Sequence, residues 1–249
     1  VTKVFLPAVA NGGQQRRTVC SRAPKARSQV NVATYNVGYD GNNAWIMAPI
    51  ERVQKIGGQL LAHDVEIVAL QEVMHEGDNM ELGVFSHWFT GWQWFAEAHN
   101  RRNHYLNVIL TAHPIVQGSE RTHTIVSRNG RNDRVNVSVQ VRTPAGVMRV
   151  WSIHTRFEEP DDGTAQLMRG VKLVADSEPG IPVLIMGDFN TQRSNVLSIA
   201  KDAELRPNAT TVGRIDHILA HGLEIVESCA APRPGVPGEH DPIFATVTF

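Results

Sequence analysis

Ile181-Pro182-Val183-Leu184-Ile185-Met186-Gly187-Asp188-Phe189-Asn190 is the stretch that orients the whole chain. Its apolar run, Ile181 to Met186, reads as a buried strand. Gly187 lets the backbone turn and come close to whatever binds there. Asp188 and Asn190 follow at the strand's carboxyl end, where α/β folds keep their chemistry. One carboxylate and one amide at that place can hold a hydrated metal and a phosphoryl oxygen. Asp and Asn are also ordinary turn residues, so the tetrapeptide takes its meaning from the polar residues that accompany it elsewhere.

Working outward, the pattern repeats. Val30 to Val37 alternates apolar and polar residues as a strand does, and ends in Thr34-Tyr35-Asn36. Val65 to Leu70 is a short apolar strand ending at Gln71-Glu72-Val73. Trp92 to Ala98 and Tyr105 to Leu110 are strands. Arg134 to Arg142 turns through Thr143-Pro144-Ala145-Gly146 into Val147 to Ile153, a hairpin that ends at His154-Thr155. Arg214 to Ala220 opens with Arg214-Ile215-Asp216-His217. A tight turn at His221-Gly222 separates it from Leu223 to Ser228, and Glu239-His240-Asp241-Pro242 precedes the last strand, Ile243 to Phe249. Helical spacing marks Ile50 to Ala62, through Ile50, Val53, Ile56, Leu60 and Leu61, and Gln166 to Ala175. Strands dominate and hairpins are frequent. This predicts two packed mixed sheets flanked by helices rather than one parallel sheet.

Length and composition bound the rest. With 249 residues the chain can bury a large core. The formal net charge is −1, so no global basic field draws in nucleic acid and any phosphate binding must be local. No apolar run approaches a membrane span. Residues 1–29 lack periodicity and are rich in Gly, Gln, Arg, Ser and Pro. We read them as a mobile arm before a single domain over 30–249. The chain opens on Val rather than Met and is read as a processed or trimmed form; that start and the Pro-rich arm suggest secretion, with a cytoplasmic location as the alternative. Cys20 and Cys229 have no metal-binding spacing. A disulfide from arm to body would fit an oxidising compartment, and two thiols would fit the cytoplasm. The sequence leaves both open.

Six polar segments therefore stand at strand ends. Oxygen ligands without cysteine favour Mg²⁺, Mn²⁺ or Ca²⁺ over zinc, and histidines near carboxylates can move protons near neutral pH. Metal, water and proton donor together describe phosphoester hydrolysis.

The ordered series Thr34-Tyr35-Asn36, Leu70-Gln71-Glu72-Val73, Asn107-Val108-Ile109-Leu110, His154, Gly187-Asp188-Phe189-Asn190, Arg214-Ile215-Asp216 and His240-Asp241-Pro242 resembles that of the endonuclease/exonuclease/phosphatase superfamily, the deoxyribonuclease I-like fold. The resemblance covers residues 30–249. It implies a four-layer α/β sandwich with the active site between the loop edges of two sheets. By the same resemblance Asn36 and Glu72 hold the metal, Asp188 positions or activates water, and Asn190 contacts the phosphate. His240 pairs with Asp216, and His154 stabilises the transition state or protonates the leaving oxygen. The expected substrate is a phosphoester and the expected activity a phosphodiesterase of nuclease type, in a monomer. A phospholipid or sphingomyelin phosphodiesterase and a small-molecule phosphatase are the other enzymatic readings.

Val108 and His113 depart harmlessly from the family pattern, and one departure matters. Glu239 stands where Asp usually precedes the last histidine, and its longer side chain moves the oxygens by about one C–C bond, a shift to which catalytic geometry is sensitive. Glu239 is expected to hold metal directly or through water. The departure also keeps alive a non-catalytic relative that uses the fold as a binding module. Phe85, Trp88, Phe89, Trp92, Trp94 and Phe95 form the densest aromatic cluster; the alternation of Trp92 and Trp94 reads as a strand packing one face on the core, with Trp88 and Phe89 in the loop before it as candidates for exposure, and a lipid-inserting or base-stacking surface is the alternative reading. Arg101, Arg102 and His104, and Arg128, Arg131 and Arg134 around Asn129-Gly130, are candidate phosphate-holding loop residues for a long substrate, with plain solvated loops as the alternative reading.

Overall fold

A computed structural model of the chain describes residues 26–38, 49–74, 81–100, 103–127, 133–210, 212–236 and 240–249. In chain order the elements are β1 (Gln29–Asn36), α1 (Pro49–Ala62), β2 (Ile67–Met74), α2 (Glu81–Trp88), β3 (Gln93–Asn100), β4 (Asn103–Thr111), β5 (Arg121–Ile125) and β6 (Arg134–Thr143). They continue with β7 (Gly146–His154), α3 (Pro160–Ser177), β8 (Val183–Asp188), α4 (Arg193–Asp202), β9 (Asn208–Ala209), β10 (Asp216–His221), β11 (Glu224–Ala230) and β12 (Ile243–Thr248). The strands form two six-stranded sheets, ordered β11-β12-β1-β2-β4-β3 and β5-β6-β7-β8-β10-β9. Each is mixed. β1 and β2 run parallel in the first, β7 and β8 in the second, and the other pairings are antiparallel.

Period-two alternation builds four layers. On one side of the first sheet Ala33, Tyr35, Val68 and Leu70 pack under Val53, Ile56 and Leu60 of α1 and Phe85 of α2. On its other side Val32, Ile67, Ala69 and Ile109 meet Val137, Val139, Val150, Leu184, Met186 and Ile218 of the second sheet. That sheet's outer residues, Trp151, Ile153, Ile185 and Leu219, lie under Leu167, Met168 and Val171 of α3 and Val196 of α4. Burying one such aliphatic side chain stabilises the fold by about 1.5–3 kcal/mol, so the three apolar layers together hold the sandwich. This is the expected α/β sandwich.

Several local expectations need correction. Ile50 and Leu61 of α1 are exposed; of the five expected apolar positions Val53, Ile56 and Leu60 are buried. α3 begins at Pro160, ahead of the expected Gln166, because proline suits a first helical position and Asp161 and Asp162 complement the positive end of the helix dipole. Trp88 is exposed as expected but closes a helix instead of lying in a loop; Phe89 is buried, and Trp94 on edge strand β3 is 47% exposed. β5, α2 and α4 carry no strong periodicity and were not expected. The His221-Gly222 turn joins strands of different sheets, so it is a corner and not a hairpin. Cys229 is buried and disulfide-bonded; the sequence's other cysteine, Cys20, lies outside the described residues. Among the described residues no helix is long and apolar enough to cross a membrane.

Candidate active site

The two parallel pairs place four strand ends on one edge of the sandwich. β1 ends at Asn36, β7 at His154 and β8 at Asp188, and β2 carries Glu72 near its end. Alternation determines which way they face. Asn36 continues the inter-sheet row of Val30 and Val32, His154 that of Met148 and Val150, and Asp188 that of Leu184 and Met186. Asp216, at the start of β10, precedes inward-facing Ile218 and pairs with Asp188 across the ladder. The site is thus the polar end of the same layer whose apolar part is the central core.

Glu72 does not follow this rule. Continued alternation from Ala69 would send it to the outer, α1 side. The register of β2 on β4 shifts between Leu70 and Val73, and Glu72 has φ +58°. This bulge inserts one residue, so Gln71 stays between the sheets and Glu72 joins the cleft. Gln71 is fully buried and bridges the sheets: its Nε2 donates to Ser152 Oγ at 3.1 Å and its Oε1 accepts from Thr34 Oγ1 at 3.3 Å. Gly187 is needed for a different reason. A Cβ there would lie 2.0 Å from the Ile153 carbonyl oxygen, and its φ is +149°. Only glycine allows β7 and β8 to bring His154 beside Asp188.

Asp188 is the hub. Its Oδ2 accepts from Asn36 Nδ2 at 3.0 Å, its Oδ1 from the Asn190 backbone N–H at 2.8 Å, and its Oδ2 stands 3.6 Å from His154 Nε2 and 3.7 Å from His240 Nε2. Burial, reinforced by the charge of Asp216, pushes its carboxyl well above the ordinary carboxylate range, against the pull of His240 and of the hydrogen bonds from Asn36 and Asn190. His240 Nδ1 donates to Asp216 Oδ2 at 2.7 Å. Burial alone would lower its pKa. The hydrogen bond to Asp216 and the charges of Asp216, Asp188 and Glu72 outweigh that and push it up to about 9. His240 is therefore an imidazolium at neutral pH.

The second histidine is held from behind. Asn136 Oδ1 accepts the His154 backbone N–H at 2.7 Å, and Asn107 Nδ2 crosses between the sheets to the Val135 carbonyl at 2.9 Å. Asn190, with φ +52°, donates from Nδ2 to the Thr155 carbonyl at 3.1 Å, which leaves its second amide hydrogen for a ligand. These side chains line a cleft of about 830 Å³, together with Arg134, Phe157, Arg214 and Asp241.

All the expected site residues that the structure describes meet in this one cleft: Asn36, Glu72, His154, Asp188, Asn190, Asp216 and His240. Glu239 lies outside the described residues, as do Arg101, Arg102, Arg128 and Arg131. The sequence reading passed over Asn136 as a support for His154, the role of Gln71 as a bridge, and Phe157. Asn136 interrupts the apolar alternation of β6 and could have been noticed for that. Phe157, in a segment without periodicity, gave no signal.

With fold and cleft described, the class is clear: the chain belongs to the endonuclease/exonuclease/phosphatase family, whose model matches residues 33–240. Solved structures of similar fold include an endonuclease/exonuclease/phosphatase from Bacteroides vulgatus, with TM-score 0.69 and 14% identity over 89% of this chain and 99% of that one. A mannosyl-6-phosphatase from Bacteroides thetaiotaomicron has TM-score 0.67 and 15% identity, over 88% of this chain and 100% of that one. The catalytic domain of human Nocturnin with bound sulfate anion has TM-score 0.63 and 15% identity, over 90% and 96%. No curated protein matches by sequence.

Proposed function

We propose that this protein is a divalent-metal-dependent phosphodiesterase of nuclease type. The observation that carries the reading is the convergence of two histidines on one buried carboxylate: His154 Nε2 and His240 Nε2 stand 3.6 and 3.7 Å from Asp188 Oδ2. Two N–H donors and an acceptor face one small volume, as an in-line attack of water on a phosphoryl group requires.

Glu72 and Asn36 supply oxygen donors on the cleft wall, and no cysteine lines it among the described residues, so the donor set suits Mg²⁺, Mn²⁺ or Ca²⁺. Asn36 Oδ1 accepts the Gly38 N–H at 2.9 Å and retains a second lone pair. Asn36 and Glu72 would hold the cation. When bound, the cation supplies Lewis-acid polarisation of the phosphoryl group.

The chain's own groups do the rest. Asp188 orients the attacking water and accepts its proton. His240, kept protonated by Asp216, donates to a phosphoryl oxygen and offsets the charge that develops there. His154 sits to donate on the leaving side. The second amide hydrogen of Asn190 fixes another phosphoryl oxygen. The disulfide at Cys229 supports an extracytoplasmic location for this activity.

The test is hydrolysis of supercoiled plasmid and of a labelled oligonucleotide by wild type and Asp188→Ala, with Mg²⁺ and with chelator. Metal-dependent cleavage that disappears in the variant is expected. Equal cleavage by both proteins would overturn the assignment, and cleavage of lipid or small phosphoesters alone would overturn its nuclease part.

A further inference from the structure

Hydrolysis of a phosphoester does not by itself require an aromatic ring at the rim of the cleft. Phe157 is 77% exposed, the most exposed large apolar side chain among the described residues, and it lines the cleft that contains Asp188. It is also presented from an anchored backbone. Thr155 and Arg156, just before it, are buried. The Thr155 N–H donates to the Asp188 carbonyl at 2.9 Å, and its hydroxyl donates to the Phe189 carbonyl. Arg156 is clamped by Glu159 at 3.0 Å and Asp162 at 2.7 Å. Gly163 lets α3 approach this segment, since a Cβ there would come within 3.3 Å of the Arg156 nitrogen. The ring is therefore held in water by the same framework that holds Asp188.

Arg134 shares the cleft. Its Nε is buried and finds no hydrogen-bond partner among the described residues. A guanidinium with an unpaired Nε–H and an exposed ring lining one cleft match a ligand that carries both a phosphate and a flat π surface. An acyl chain fits poorly, because the floor of the cleft holds Asp188, Asp216 and His240. A nucleobase presents a face to the ring and polar edges to these surroundings.

We propose that Phe157 stacks the base next to the scissile phosphate while Arg134 holds the flanking phosphate, which makes unpaired nucleic acid the substrate class. A base inside a duplex cannot offer its face to a side chain without leaving the stack. This inference rests on the nuclease reading above and narrows it.

The experiment uses the full chain carrying Asp188→Asn, with Mg²⁺ and a short single-stranded oligodeoxynucleotide containing 2-aminopurine beside the central linkage. Binding is expected to quench the fluorescence. Adding Phe157→Ala should remove most of the quenching and weaken binding about tenfold, and Phe157→Trp should restore both. In the active enzyme, Phe157→Ala should lower the preference in kcat/KM for this oligonucleotide over one with an abasic sugar at the same place, again about tenfold. Quenching that survives Phe157→Ala, or equal loss on the two substrates, overturns the stacking role. If wild type hydrolyses no phosphoester yet quenching depends on Phe157, the nuclease reading falls and this subsite stands. If oligonucleotides are cleaved with no dependence on the base, the subsite falls and the nuclease reading stands.

Discussion

His240 Nδ1 donates to Asp216 Oδ2 at 2.7 Å while its other nitrogen stands 3.7 Å from Asp188 Oδ2, so one imidazole spans two buried carboxylates. The first contact fixes the ring and its charge, and the second aims it. Replacing Asp216 by Asn keeps the size and removes the charge. We expect kcat near pH ~8 to fall about 100-fold. The basic limb of the wild-type pH–rate profile is expected where His240, its pKa raised to about 9, loses its proton, and in the variant it should move to lower pH. A limb that stays in place would show that His240 is not the titrating group.

The same raised pKa makes a stability prediction. A histidine with an ordinary pKa near 6.5 when unfolded and about 9 when folded binds its proton more tightly in the native state. Its contribution is fully present below pH ~6.5 and is lost as pH rises through about 9. Asp188, raised from the carboxylate range, acts with the same sign at lower pH. Metal-free protein should therefore lose on the order of 2–3 kcal/mol between pH ~6.5 and pH ~9.5. Urea titrations in chelator measure this, and His240→Gln should flatten the dependence.

Cation binding should offset that loss. A ligand that binds only the folded state at about 100 times its Kd adds roughly 2.7 kcal/mol, so Mg²⁺ should raise the Tm of wild type. Glu72→Gln removes a charge from the cleft wall and should abolish most of the shift while leaving the Tm in chelator nearly unchanged. Calorimetry with and without Mg²⁺ checks both parts.

Gly187→Ala tests how closely β7 and β8 must approach. The added Cβ would meet the Ile153 carbonyl oxygen at 2.0 Å, so the parallel pair has to separate. A cost of about 3 kcal/mol and a Tm lower by about 10 °C are expected. Activity should be lost at temperatures where the variant is still folded, because His154 and Asp188 are neighbours in that ladder.

Much of the architecture was legible in the alternation. β1, β6, β7, β8 and β12 follow the expected strands closely, and each of the first, third and fourth ends in a polar residue that continues an inward-facing apolar row. The alternation thus places Asn36, His154 and Asp188 at strand ends, while their roles come from the resemblance of the motif series. The short, weakly patterned elements escaped. α2 and α4 lack a clean apolar stripe, and β5 has a single buried residue, Ile125, so packing rather than local pattern stabilises them. The aromatic cluster misled because period two does not tell an edge strand, where Trp94 meets solvent, from a central one.

Local chemistry alone thus specifies strand and helix types, the polar residue at each strand end and the oxygen-rich character of the site, because side-chain direction along a strand follows from its pleat. The rest needed the folded chain. The left-handed bulge that turns Glu72 into the cleft depends on the pairing of β2 with β4. The Asp216–His240 contact joins residues brought together by two different sheets. The charge of His240 comes from carboxylates distant in sequence, and the ring of Phe157 is exposed by a segment tied to Asp188 and Phe189. Each depends on distances between residues far apart in the chain, which pairing and packing set and no local pattern encodes.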